Sequence, residues 1–411
     1  MIGARVDGAR LRRDLAELAR IGRTESGGVS RTSYSAADSL ARQWYADRCA
    51  DAGLKLWQDG LGNMFAQPGQ PGTGAAAVWT GSHLDSVPDG GRLDGALGSL
   101  AALECVRRLA ELGLDLSRPV RAVVFADEEG NYGHLLGSKG VVDGYTEDEL
   151  SEMTGRDGDR LVDALAAFHW ADGLPTETRV SPGHIHAFVE LHIEQGPKLE
   201  VARADIGIVT SIVGLGGGTV EFAGRADHAG TTPMTQRRDP LRAAAVFLSE
   251  LPRIAASVSD AAVITCGRIR AEPGAANVVP RLARLVIDFR DPDSGGLREL
   301  AAAIGEAARR AAAQCDTDAA WYPDPLVEPV ALDPGVQSAV TRATRDLGLS
   351  GLAMPSGAGH DSQNLARIAP TGMIFVPSVA GRSHSPAEHT NDADIENGAN
   401  VLLTTLIDLA S

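Results

Sequence analysis

The sequence predicts a two-domain α/β fold in which a sheet domain is interrupted by a smaller ferredoxin-like domain. Three observations lead there. At 411 residues the chain exceeds what one hydrophobic core usually organises, so two domains are expected. Between residues 76 and 130 the pattern runs strand, Gly-rich loop, helix, strand, the grammar of a mostly parallel sheet. From about residue 211 the texture changes, and the order β-α-β-β-α-β follows, which is that of a ferredoxin-like unit. The expected division is therefore 1–210 and 323–411 for the discontinuous sheet domain, with 211–322 inserted into it.

Each element has its own signal. Residues 6–21 carry an amphipathic helical pattern, a Gly/Ser/Thr-rich loop occupies 24–33, and residues 35–52 place Leu40, Trp44, Tyr45 and Cys49 at helical spacing before Gly53. LKLWQDGLGNMFAQPG reads as a hairpin around Asp59-Gly60. AAVWTGSH is a strand feeding the Gly-rich stretch GSHLDSVPDGGRLDGALG, residues 81–98; a helix over 97–112 stops at Gly113, and VRAVVFADEEG is a buried strand ending in acid. HAFVELHIEQGP is an apolar strand carrying His192. In the insert, helices are expected over 240–257 and 297–314, with strands between and around them. Pro323 and Pro325 mark the return. A helix over 335–347, a strand over 373–376 and a closing amphipathic helix complete the chain.

Composition removes several classes. An apolar fraction of 44% and a charged fraction of 22% belong to a soluble globular protein. A net charge of −16 with no basic cluster repels phosphate backbones and anionic membrane surfaces, so neither nucleic acid nor membrane is expected as a partner. Cys49, Cys105, Cys266 and Cys315 form no CxxC pair. With no apolar leader and no long apolar run, they suit a reducing cytoplasm.

The chemistry concentrates at expected strand ends, where ligands of open α/β sheets bind. His83 and Asp94 stand eleven residues apart on irregular, Gly-rich backbone able to fold back onto one cation, with Asp85 placed to orient the imidazole. Neighbouring residues leaving a strand point to opposite sides, so Glu129 can face a metal while Glu128 faces a substrate as general base. Read singly, paired acids at a strand end are more often a solvated rim, and a lone histidine on an apolar strand is more often a hydrogen-bonded core residue. Together, His83, Asp94, Glu129, His192 and His384 supply imidazoles and carboxylates for two divalent cations bridged by one aspartate. Nitrogen and oxygen donors without thiolate suit zinc, with manganese, cobalt or nickel as alternatives.

GSHLDSVPDGGRLDG, DEEG, HIEQGP, GRADHAGTTPM, RRDP, GAANVVP, DFRDP, SGAGHD and SHSPAEHT, in this order, resemble the hydantoinase/carbamoylase branch of the M20 metallopeptidase clan, and the likeness covers nearly the whole chain. The resemblance implies a two-domain metallohydrolase with an inserted dimerisation or lid domain. It implies His83 and His192 on one metal, Glu129 and His384 on the second, Asp94 bridging both, and Glu128 as the base. His228 would stabilise the oxyanion in the partner subunit's site of a homodimer. Gln195, Asn277 and Arg290 would hold the amide and carboxylate ends of a small substrate, a guanidinium gripping a carboxylate bidentately. The expected reaction is hydrolysis of a C–N bond in a carboxylate-bearing N-carbamoyl or amide substrate.

One stretch departs from the pattern. The branch follows Glu-Glu-Gly with an Arg-Phe pair and a longer run, whereas here GNYGHLL joins Glu129 to Gly137-Ser138, about two residues shorter, which places Tyr132 and His134 near Glu128 and leaves the substrate open. The alternatives are an N-acyl-amino-acid or dipeptide amidohydrolase, against which HIEQGP argues, and a catalytically silent metabolite-binding relative, against which an intact ligand set with Glu128 argues.

Overall fold

The computed structural model describes residues 3–69, 76–181 and 183–411. The chain divides into two compact units, Met1–Thr210 with Ala331–Ser411, and Ser211–Val330.

The first unit is built on a nine-stranded mixed sheet. Its order is Leu54–Gln58, Met64–Pro68, Val120–Phe125, Ala77–His83, Ile185–Ile193, Thr371–Val376, Ile206–Ile212 and Val330–Ala331, with Gly351–Ser356 also paired to Ile206–Ile212. Four neighbours at its centre, from Val120–Phe125 to Thr371–Val376, run parallel. Ala77–His83 is buried at every position and Ile185–Ile193 at all but one, as expected of strands covered on both faces. One face lies under the helices Gly8–Leu18, Ala96–Leu112, Pro334–Asp346 and Asp392–Ala410, which share one large apolar cluster with it. Phe65, Trp79, Val123, Phe125 and Phe188 pack on the opposite face.

The helix Ala96–Leu112 sits so close to the sheet that a Cβ at Gly98 would lie 2.2 Å from the Leu191 carbonyl oxygen; only glycine permits that approach. Leucine and alanine on its other turns fill the core. The helix ends at Gly113 in the left-handed conformation, the stop expected from sequence. The short helices Leu136–Val142, Glu147–Glu152 and Leu161–Ala167 have no counterpart in the sequence reading, each being too short for a sustained 3.6-residue period.

The second unit is a four-stranded antiparallel sheet in the order Asp318–Pro323, Gly214–Ala223, Leu282–Asp291, Val263–Glu272. Pro240–Val258 and Ser294–Gln314 cover one face. Along Leu282–Asp291 the alternate residues Ala283, Leu285, Ile287 and Phe289 are buried against these helices. The stretch TSIVGLGGGTVEFAGRADHAG, residues 210–230, reads from sequence as a strand pair and is divided differently: Ile206–Ile212 belongs to the large sheet, Gly214–Ala223 forms one ten-residue strand of the small one, and Asp227–His228 is a two-residue strand against Val278–Val279. The glycines of 214–218 raised the apparent turn content of a continuous strand.

Candidate metal centre

The carboxyl ends of the four parallel strands bring the chemistry of the first unit together. Ala77–His83 ends in His83, Val120–Phe125 delivers Asp127-Glu128-Glu129, Ile185–Ile193 carries His192 opposite Phe375, and the loop after Thr371–Val376 presents His384. Asp94 arrives from the Gly-rich loop. Three groups of possible ligands result among the described residues, each with donor atoms within 4.8 Å of one another: His83-Asp94-His192 and Asp94-Glu129-His384, which share Asp94, and the buried Glu190-His192-His360.

The distances define the arrangement. His192 Nε2 stands 3.1 Å from Asp94 Oδ1, and His83 Nε2 stands 3.9 Å from the same atom. His384 Nε2 is 3.2 Å from Asp94 Oδ2 and 3.6 Å from Glu129 Oε1. Despite this proximity, His192 Nε2 and Glu129 Oε1 are buried without a hydrogen-bond partner. Buried polar atoms are rarely left so, and atoms converging on one point without bonding to each other are what a cation requires. The residues therefore fit a divalent metal ion.

Backbone geometry holds the ligands. At Gly95, φ is +62° and a Cβ would fall 2.3 Å from the His83 ring, so the turn after Asp94 depends on glycine. Asp127, Gln195 and His384 adopt positive φ without being glycine, a strain that clusters at functional sites. His192 Nδ1 donates to the Ile193 carbonyl (2.9 Å), which leaves the Nε2 lone pair as the one that could meet a cation. His83 is held in the same way, but not by the expected group. Its Nδ1 bonds the backbone oxygen of Asp85 at 3.0 Å, while the Asp85 carboxylate lies 3.7 Å away. That carboxylate instead accepts the amides of Glu128 (3.4 Å) and Glu129 (3.0 Å), so Asp85 shapes the acidic turn.

Electrostatics sharpen the picture. Glu128 is buried, with Oε2 3.6 Å from His83 Nε2. Burial first, and then the charges of Asp361, Glu129, Asp85 and Asp94, push its carboxyl well above the ordinary range. Glu129 is raised to about 8, by burial and then by Asp94. Burial lowers His83 to about 4. Burial also opposes a charge on His192, but the adjoining Asp94 carboxylate carries it up to about 9. A cation at the shared point would offset this mutual repulsion of carboxylates.

Other residues complete the site without having been singled out from sequence. Glu388 Oε1 accepts the amides of Leu93 (2.8 Å) and Asp94 (3.1 Å), and Ser383 Oγ lies 2.8 Å from Glu388 Oε2 and 3.0 Å from Asp94 Oδ2. Glu388 thus ties the Asp94 loop to the His384 loop. The motif SHSPAEHT contained it, but nothing in that string reveals a partner nearly 300 residues away. His360 packs its ring 4.6 Å from that of His192 and bonds Ser356 Oγ through Nε2 (2.8 Å). Asp361, next to it, is fully buried with both oxygens unpartnered.

The expected substrate-holding residues divide between the units. Gln195 belongs to the first, its Nε2 donating to Asp94 Oδ2 at 2.9 Å. His228, Asn277 and Arg290 belong to the second. There His228 pairs with Val278, and the Ala229 amide bonds the Asn277 carbonyl at 3.0 Å, so His228 and Asn277 are neighbours. His228 Nδ1 accepts the amides of Gly230 (3.0 Å) and Thr231 (3.3 Å), which leaves the proton on Nε2. Arg290 lies on Leu282–Asp291 with Nε 3.3 Å from Asp288. The Tyr132 hydroxyl bonds Asp159, while His134 Nδ1 donates to the Glu128 carbonyl at 2.8 Å.

Residues 79–408 match the model of peptidase family M20/M25/M40. The chain is 38% identical to an N-carbamoyl-L-amino acid amidohydrolase of Geobacillus stearothermophilus, over 98% of this chain and 99% of that one. To an allantoate amidohydrolase of Escherichia coli it is 35% identical, over 96% of each. A solved amidase of the hydantoinase/carbamoylase family from Burkholderia multivorans superposes with a TM-score of 0.91 at 36% identity, covering 99% of this chain and 98% of that one. A match of this extent in sequence and in fold leaves one conclusion: the chain belongs to the M20/M25/M40 peptidase family.

Proposed function

We propose that this protein is a binuclear metal-dependent amidohydrolase that cleaves a C–N bond of a small, carboxylate-bearing ureido substrate. The observation that carries the reading is the pair of ligand groups sharing Asp94, with the buried Glu128 beside them. Relatives named for N-carbamoyl-L-amino acids, allantoate and ureidoglycolate support the ureido class.

His83 and His192 would hold one ion, Glu129 and His384 the other, and Asp94 both. Zinc suits the donor set best, with manganese, cobalt or nickel able to replace it. Bound there, the ions would lower the pKa of a water and polarise the scissile carbonyl. Glu128 takes the proton of the attacking water and delivers it to the leaving nitrogen, so the C–N bond breaks to a neutral amine or ammonia. His228, with its proton on Nε2, donates to the developing oxyanion without needing a charge. Gln195 and Asn277 orient the amide end, and Arg290 takes a carboxylate.

The inserted unit serves as lid and dimerisation domain in this reading. Among the described residues its edge strand Val263–Glu272 pairs only with Leu282–Asp291, and it exposes Val263 and Ile269 by 51% and 50%. An open strand edge bearing apolar side chains is suited to pairing with a second copy. Four free cysteines fit a cytoplasmic location. Among the described residues no helix is long and apolar enough to cross a membrane.

The test is a panel of N-carbamoyl amino acids, allantoate, N-acyl amino acids and dipeptides assayed with chelated and metal-reloaded protein. The reading expects ureido hydrolysis that disappears on chelation and returns with zinc or manganese. Turnover of dipeptides alone would replace it with the peptidase alternative.

A further inference from the structure

The turn that carries Glu128 and Glu129 is clamped from an unexpected direction. Asp127 accepts the amides of Asn131 (2.7 Å), Tyr132 (2.9 Å) and Gly133 (2.9 Å), which folds the chain back immediately after the two glutamates. The carbonyl of Glu128 receives His134 Nδ1, and the carbonyl of Glu129 receives Arg156 Nη2 at 2.9 Å. Arg156 lies on a tight loop closed by the Gly155 amide on the Asp159 carbonyl (2.7 Å) and by the Leu161 amide on the Met153 carbonyl (3.0 Å). The Tyr132–Asp159 hydrogen bond staples that loop to the turn, and a Cβ at Gly155 would sit 3.0 Å from the Tyr132 ring.

Arg156 is therefore a solvent-exposed guanidinium whose position is fixed against the backbone of a proposed metal ligand. It forms no ion pair among the described residues, and its bond to Glu129 uses one of five N–H donors. The carboxylates of Asp85, Asp94, Glu128 and Asp361 are buried, and together they make the site hostile to an anion. A cation held on the Glu129 backbone counters that repulsion locally, and a planar fork of donors suits a carboxylate.

We propose that Arg156 is a specificity-determining residue that binds a second acidic group of the substrate, so that the preferred substrates are ureido compounds of aminodicarboxylic acids. The inference rests on the proposed ureido amidohydrolase activity, with Arg156 taking the second of the substrate's two carboxylates.

The experiment measures binding by calorimetry to metal-loaded Glu128→Gln protein, which removes turnover. The probes are N-carbamoyl-L-aspartate and N-carbamoyl-L-asparagine, which differ by a carboxylate against an amide. With Arg156 in place the aspartate compound should bind about tenfold or more tightly than the asparagine compound, the worth of a charge-assisted contact. Arg156→Gln should collapse that ratio towards one, and Arg156→Lys should keep part of it. A ratio near one with Arg156 present, a ratio that survives Arg156→Gln, or binding of neither probe overturns the proposal. Ammonia release by the wild type is read separately. Release without an aspartate preference sinks the role of Arg156 and leaves the ureido reading standing, whereas a selective ratio without release does the reverse.

Discussion

At the scale of single residues, groups that would do chemistry are distinct from groups that hold them. Glu128 is the proposed base and no ligand, so Glu128→Gln should bind metal as the wild type does and lose about 100- to 10,000-fold in kcat. Metal content and kcat measured on one preparation check this, and an undiminished kcat removes the role. Gly95 holds. Gly95→Ala would force an L-residue into a sparsely populated positive-φ conformation, at about 1–3 kcal/mol, and drive a methyl into the His83 ring. Thermal unfolding should show the loss of stability, and metal titration a weakened site. Unchanged affinity and midpoint would mean that the loop relaxes freely. Glu388→Ala would leave the buried Leu93 and Asp94 amides unpaired and should weaken metal binding while leaving the ordering of substrates intact.

At the scale of elements, the edge strand Val263–Glu272 makes the most direct prediction. Lysine at both Val263 and Ile269 should yield a folded monomer by light scattering, because like charges on an open edge oppose strand pairing. A dimer that persists moves the interface elsewhere. Long strands and helices were legible in the sequence because periodicity is a local property: Ala96–Leu112 and its Gly113 stop follow from spacing alone. The Gly-rich loop and the acidic turn were legible as motifs, and the groups they carry lie within reach of one another. Partnerships across the fold were not. The switch of Asp85 from imidazole to the Glu128 and Glu129 amides depends on how two strand ends abut. Arg156 reaches Glu129 from 27 residues away through a loop with no periodic signal. The short helices after Leu135 were invisible for the same reason.

At the scale of the whole molecule, the proposed metal ligands and base lie in one compact unit, whereas His228, Asn277 and Arg290 lie in the other. If His228 serves the partner subunit's site, His228→Ala and Glu128→Gln proteins, each inactive alone, should recover part of the activity when their subunits exchange. Proven exchange without recovery would show that each chain works by itself. The central claim is the binuclear centre with Glu128 as its base, and the most direct measurement pairs metal analysis with ureido hydrolysis on chelated and reloaded protein. The account predicts two equivalents of divalent metal per chain in both wild type and Glu128→Gln, with ammonia released only by the wild type and only when loaded. Hydrolysis by metal-free protein, or a single equivalent at full activity, would contradict it.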